Sequence, residues 1–349
     1  MRCDSLPAAA VATVRRPRTG LRFAVLAAAL CVFPAGHHSE ANAPLKAPVA
    51  TALETAAETY PSVWLVEKIE QFESYSNGLR IENLFAVAAP ARNYVAFPRP
   101  PASPGAAEVR TEPAGIVFHT TESQLVAFEE EQTVALKRVG VSLLEYVRRN
   151  KCYHFVVDRF GRVYRIVEET AAANHAGWSL WADERRVYVN LNDSFLAVAF
   201  EAQSRPEGRP PSVSPAQIQA GRVLTEMLRS KYRIPAANCV THAQVSVNPR
   251  NLRIGYHTDW IENFPFRALG LPDNYDQPLP SICLFGFDPD GQLGAAGLEK
   301  GLLAAEEQVR RQAMREQMPV ARYRAVLRLR WRETVSALEN RAPSKEREL

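Results

Sequence analysis

Apolar residues along this chain fall into two patterns. Short unbroken runs stop on a polar residue, and longer stretches repeat apolar residues every three or four positions. Gly115 to Phe118 is such a run, and it stops at His119. A run of this kind predicts a buried strand that carries a side chain to the rim of a sheet. Phe195 to Phe200 is wholly apolar and ends on Glu201, and Asn238 to Thr241 leads into His242. Tyr153–Val157 and Arg162–Val167 flank the turn Asp158-Arg-Phe-Gly161 and predict a hairpin. Between these runs the period changes. Residues Glu122 to Asn150 predict a long helix, breakable at Gly140, and Ser214 to Lys231 predict a second helix with Ser214-Pro215 as N-cap and N1.

The flanks are different. Asn77-Gly78 between apolar residues signals a hairpin turn, so residues 61–98 read as a small β-rich lead-in. Pro98-Arg-Pro-Pro-Ala-Ser-Pro-Gly105 reads as a stiff linker. Residues 271–290 are a proline-rich loop, and residues 298–342 are a charged helical tail interrupted by Pro319. The tail reads as a solvated helix packed against the domain. The expected fold is α/β: a central mixed sheet flanked by helices, with a β-rich N-terminal extension and a helical C-terminal tail. The expected boundaries are 1–43, 44–112, 113–270 and 271–349.

Composition narrows the classes. Apolar residues make up 46% and charged residues 23% of the 349, which are globular values. The net charge of +4 is mild, and no dense basic face marks the central region, so nucleic acid is not an expected partner. Arg15, Arg16, Arg18 and Arg22 precede an apolar stretch from Phe23 to Phe33, and Ala41-Asn42-Ala43 follows. This predicts a secretory signal peptide cleaved near Ala43, by a Sec or twin-arginine route, and hence an exported protein, periplasmic or secreted. The apolar stretch is short for a bilayer span, so membrane association is not predicted. Cleavage would leave Cys152, Cys239 and Cys283. One bridge is allowed, with Cys152–Cys239 the expected pair.

The chemistry gathers at the strand ends. His119, Glu201, His242, and His257 or Asp259 are residue types that a catalytic zinc site uses: three protein ligands and a nearby acid or base. All five histidines beyond the leader fall between residues 119 and 257. Tyr153 opens a strand, and Asn174-His175-Ala-Gly177 sits in a polar loop with Trp178 and Trp181. The two tryptophans read either as a sugar-stacking wall or as cover for a core edge. His154 reads as a core residue or one supporting the site.

The order strand-His-Thr, Tyr153-His-Phe with its Asp158-x-x-Gly161 hairpin, Asn174-His-Ala-Gly177, strand-Glu, Val240-Thr-His242 and Asp259-Trp260 resembles the zinc-dependent N-acetylmuramoyl-L-alanine amidases and peptidoglycan recognition proteins (amidase type 2). The resemblance covers roughly residues 113–262. It implies zinc as cofactor, peptidoglycan or muropeptides as partners, and hydrolysis of the amide between N-acetylmuramic acid and L-alanine. The other function it admits is a non-catalytic peptidoglycan-binding protein. It implies His119 and His242 as zinc ligands, Glu201 as the acid assisting the water, Tyr153 beside the metal, and His175, Gly177 and Trp178 as substrate contacts. The family's Lys-x-Asp-Pro-Gly or Cys-Pro-Gly after the second histidine is missing here. His257 is the first choice for third ligand and Asp259 the second, with Arg253 standing in for the family's lysine.

Overall fold

The computed structural model describes residues 58–100, 107–204, 213–248, 250–289 and 296–340. The expected signal peptide, its cleavage site and most of the Pro98–Gly105 linker lie outside the described residues. The chain begins with β1 (Leu65–Lys68), β2 (Phe72–Tyr75), β3 (Arg80–Glu82), β4 (Tyr94–Pro98) and β5 (Glu108–Arg110). β6 (Gly115–Thr120), α1 (Thr133–Asn150), β7 (Phe155–Val157) and β8 (Val163–Arg165) follow. Next come β9 (Leu180–Ala182), β10 (Arg186–Val189), the single-turn α2 (Leu191–Ser194) and β11 (Phe195–Phe200). α3 (Pro215–Tyr232), β12 (Cys239–Thr241), the single-turn α4 (His242–Val245), β13 (Val247–Asn248) and β14 (Arg253–Ile254) continue the chain. It closes with the short α5 (Pro280–Cys283), β15 (Asp288–Pro289), α6 (Ala296–Arg315) and α7 (Val320–Glu339). No helix among the described residues is long and apolar enough to cross a membrane.

The largest sheet has eight strands in the order β1-β2-β3-β8-β7-β11-β6-β12. It is mixed. β7, β11, β6 and β12 run parallel, whereas β1–β2, β2–β3 and β7–β8 are antiparallel. β6 and β11 lie in the middle with every residue buried, which explains why their sequences are continuously apolar rather than alternating. Register then sets what each face carries. Ala199 and Val156 lie opposite each other, and Ala199 lies opposite His119. Val156 packs into a cluster with Leu143, Leu144 and Val147 of α1, so α1 covers the face that carries His119. Phe118 and Phe200 point to the other face, where α3 sits. Gly221 of α3 makes that seat: a Cβ there would come within 2.8 Å of the Phe200 ring.

Several expected elements are present at their expected places. The Asn77-Gly78 turn joins β2 to β3, and the capping box at Ser214 and Gln217 starts α3. α6 and α7 are separated at Pro319, and Trp331 of α7 packs edge-on against Phe285 and Phe287. The lead-in strands β1–β3 are continuous with the central sheet through the parallel β3–β8 pair. The first long helix starts at Thr133 rather than near Glu122, and it runs through Gly140 without a break. Its expected first turns are spent otherwise. Thr121 and Glu122 donate their N–H groups to Phe200 and Ala202, extending the β6–β11 ladder, and Val134 is left 81% exposed. Cys239 is buried outside any disulfide, its Sγ–H donating to the Pro235 carbonyl, so the expected Cys152–Cys239 bridge is not formed.

The lead-in is tied to the domain by charge as well as by the sheet. Buried Arg165 on β8 bonds Glu73 of β2 at 2.8 Å and Glu169 at 2.9 Å, and Lys231 of α3 reaches Glu169 at 3.2 Å. Burial alone would raise the Glu73 carboxyl. Arg165, Lys68 and Tyr75 outweigh it and hold the group down to about 2. A carboxyl whose pKa is lower folded than unfolded stabilises the fold above its unfolded value and loses that contribution as pH falls towards the folded one. Acidification from pH 5 to pH 2 is therefore expected to lower the melting temperature, and Glu73→Gln to flatten that dependence while destabilising at neutral pH by roughly 3 kcal/mol. Thermal melts of both forms across this range check it.

Candidate metal centre

Two strand ends and one loop converge on the α1 side of the sheet. His119 is the fifth residue of β6 and is buried. β12 runs parallel to β6 with Thr241 opposite Phe118, so His242, the next residue, emerges beside His119. Thr241 caps α4 in a box with Gln244, which fixes how His242 leaves the strand. The imidazole centroids of His119 and His242 are 4.5 Å apart. Asp259 closes the group. Its carbonyl accepts the N–H of Ala243, and its carboxylate lies 3.1 Å from His119 Nδ1 and 2.8 Å from His242 Nδ1. One ligand atom from each of His119, His242 and Asp259 falls within 4.8 Å of the others, and all three residues are buried.

Behind His119 stands a second imidazole. His119 Nε2 is 3.1 Å from His175 Nδ1, and His175 Nε2 is 3.0 Å from the Leu191 carbonyl oxygen. The His175 loop is held by one atom: Asn192 Oδ1 accepts the N–H groups of His175, Ala176 and Gly177 at 2.8–2.9 Å. A proton count follows. Leu191 O, His175, His119 and Asp259 make a chain of three contacts with an acceptor at each end. Each neutral imidazole supplies one N–H, so two protons serve three contacts. The Leu191 carbonyl can only accept, which puts a proton on His175 Nε2 and leaves Nδ1 as an acceptor. His119 then donates through Nε2, and its Nδ1 lone pair faces the Asp259 carboxylate. A cation belongs between them.

A third proton is opposed by the surroundings. Burial, then the positive charge of His242, push the His119 imidazolium down to about 4 against the pull of Asp259. Burial would raise Asp259, but His242 and His119 outweigh it and hold the carboxyl far below the usual carboxylate range. His175 is pushed well below the ordinary imidazole value by burial, then by His119. Two imidazoles and an anionic carboxylate are residue types suited to a divalent metal. His242 Nε2 is buried with no hydrogen-bond partner, which leaves that ring free of the tautomer constraint that binds His119.

The remaining expected site residues are distributed as follows. Tyr153 packs its ring 5.2 Å from His119, and its hydroxyl reaches the Thr120 carbonyl at 3.5 Å. Its backbone is left-handed, φ 63°, so it precedes β7 instead of lying in it. His154 is fully buried, taking the Ala197 N–H on Nδ1. The structure brings Asp259, not His257, to the third ligand place. His257 lies face to face with His242, 4.5 Å apart and 17° from parallel. Ring lone pairs lie in the ring planes, and two near-parallel planes side by side do not converge on one ion. Glu201 is two residues beyond the position in register with His119, which is Ala199. The Glu201 carboxylate accepts the Arg159 N–H, and burial raises its pKa, so it belongs to the Asp158–Gly161 turn. Arg253 is an exposed residue of β14, opposite Asn248 and Asp288. His175 supports His119 instead of facing a groove, with both ring nitrogens engaged. Gly177, at φ 52°, turns the loop so that Trp178 is 44% exposed, whereas Trp181 is core and donates to Asn238 Oδ1. Asn192 was missed. An asparagine before an apolar strand reads as turn chemistry, and nothing in its own segment points to the 175–177 loop.

His119, His242 and Asp259 thus form a buried His–His–Asp set at the edge of a mixed α/β sheet that could hold a metal ion. Residues 109–259 match the family model described as N-acetylmuramoyl-L-alanine amidase. Among solved structures, the N-acetylmuramoyl-L-alanine amidase LysC from Clostridium intestinale URNW is 22% identical, over 45% of this chain and 83% of that one, at a TM-score of 0.29. The amidase AmiD from E. coli, solved with anhydro-N-acetylmuramic acid-L-Ala-D-gamma-Glu-L-Lys, is 20% identical over 56% and 79%, at 0.35. AMPDH3 from Pseudomonas aeruginosa, solved with anhydromuramic pentapeptide, is 17% identical over 49% and 64%, at 0.33. No curated protein matches the chain.

The support given to His119 makes a prediction. His175→Ala removes the group that fixes the His119 tautomer, and metal affinity is expected to fall about 10- to 100-fold. Competitive titration against a chromogenic chelator measures it. Unchanged affinity would show that His175 does not orient the ligand.

Proposed function

We propose that the protein is a zinc-dependent N-acetylmuramoyl-L-alanine amidase, exported to the periplasm or beyond, that cleaves the amide between N-acetylmuramic acid and L-alanine in peptidoglycan or muropeptides. The observation that carries the metal is the proton count at His119: a neutral ring whose lone pair faces a buried carboxylate accommodates a cation there. The family match supports the reaction, and the arginine-rich, then apolar, leader supports export.

Zinc held by His119 Nδ1, His242 Nδ1 and Asp259 would supply Lewis acidity, lowering the pKa of a water and polarising a carbonyl. The chain's own groups do the rest. His175 keeps the His119 lone pair aimed at the site. Asp259 stays anionic at every working pH and offsets the metal's charge. Burial, then Asp259 and Glu122, raise Tyr153, so its phenol stays protonated and acts as a donor to the oxyanion that develops on the scissile carbonyl. His257 is half-buried against the outer face of His242, and we assign it proton transfer to the leaving amine. The exposed Trp178 offers a face for a sugar ring beside the turn at Gly177.

Paired substitutions test this. Asp259→Ala is expected to lose both zinc and activity. His257→Ala is expected to keep zinc but release stem peptide from sacculi about 100-fold more slowly, with partial rescue by added imidazole. Metal analysis and peptide release are read on the same preparations. Retention of zinc by Asp259→Ala together with its loss from His257→Ala would overturn the ligand assignment. Absence of stem-peptide release by a zinc-loaded wild type would overturn the reaction.

A further inference from the structure

The C-terminal helices border a half-open cleft of about 740 Å³ that the amidase reading leaves unused. It lies between α6, α7, the end of α5 and the segment just after β4. Small-molecule sites span roughly 300–1,000 Å³. The charge on its wall is one-sided. Arg99, Arg311, Arg315 and Arg330 line it, and Glu316 is the carboxylate among the described lining residues.

Two of these guanidinium groups are anchored on main-chain carbonyls, with no carboxylate partner among the described residues. Arg99 Nη1 donates to the Asp183 main-chain carbonyl at 2.5 Å, and Arg330 Nη1 donates to the Leu284 carbonyl at 3.3 Å. A neutral carbonyl takes one of a guanidinium's five N–H donors and leaves its charge in place. Arg311 has a carboxylate partner in Glu307, at 3.4 Å on the exposed side of α6. The Cys283 thiol and the Tyr323 phenol do not supply a further anion. Burial pushes the Cys283 thiol up to about 11 against the pull of Arg99, and burial raises Tyr323. Like charges gathered in a concavity with apolar walls focus a positive potential, and planar guanidinium forks match the oxygens of carboxylates and phosphates. Leu284 and Tyr323 give the remaining wall an apolar and aromatic surface, suited to a carbon skeleton.

We propose that this cleft binds a small ligand carrying two or more phosphate or carboxylate groups on a sugar or aliphatic skeleton. The inference does not rest on the amidase reading, because none of its residues belongs to the metal cluster.

The test is calorimetric titration of the full chain with two probes, glucose 1,6-bisphosphate and tricarballylate. Wild type is expected to bind at least one of them saturably. Arg315→Gln and Arg330→Gln are each expected to weaken that binding about tenfold or more, the loss of one charge-assisted contact. Arg310→Gln, on the exposed side of α6 and outside the cleft, is expected to leave it unchanged. Arg315 is itself exposed, so its substitution does not threaten the fold, and a melting curve for each variant confirms this. Binding of the bisphosphate alone assigns phosphate chemistry, and binding of tricarballylate alone assigns carboxylate. No saturable binding of either probe, or equal affinity in the cleft variants and wild type, overturns the proposal.

Discussion

The site depends on a shortage of one proton. A carbonyl, two imidazoles and a carboxylate form a buried chain with three contacts and two N–H groups to serve them. The carbonyl end cannot go without, so the deficit moves to the carboxylate end. Burial and the neighbouring His242 keep a third proton from curing it. Two acceptors facing each other inside a protein are costly unless a cation joins them, and this is what makes the cluster a candidate metal centre.

The sheet makes the arrangement possible. Parallel pairing of β6 with β12 puts His242 one step past the partner of Phe118, and so beside His119. Parallel pairing with β11 puts the small Ala199 opposite His119 and leaves room for the rings on that face. The loop that brings His175 behind His119 is ordered by a single amide oxygen, Asn192 Oδ1, taking three consecutive N–H groups. α2 follows directly, and its first residue supplies the Leu191 carbonyl on which the proton order rests. A substitution at Asn192 would therefore act on the metal site through two intermediates, the loop and His175.

How far the sequence could be read follows from what hydrophobic periodicity encodes. It marks buried strands and their ends, and His119 and His242 are legible because each follows a short buried run, β6 inside the sheet and β12 at its edge. It marks which face a residue takes but not its register, which is why Glu201 was read as a site acid. It shares the face of His119 but stands two residues past the matching position, where it meets the Arg159 N–H. Asp259 was ranked behind His257 because neither has a periodic element of its own. The choice turns on ring orientation, and the near-parallel stacking of His257 on His242 is a property of the folded loop alone. The first helix was extended too far upstream for a related reason. Residues 125–134 carry helical spacing, but the preceding main chain is drawn into the ladder with β11, and tertiary pairing overrides local pattern there.

The most direct test of this account is the protonation state of His119 itself. Nitrogen-15 NMR of the metal-free protein at pH 7, with selectively labelled histidine, reports which ring nitrogen carries hydrogen. The proton count predicts a neutral His119 with its hydrogen on Nε2, a neutral His175 with its hydrogen on Nε2, and loss of the free Nδ1 signal of His119 when zinc is added. A His119 that is doubly protonated at pH 7, or neutral with its hydrogen on Nδ1, would contradict the account.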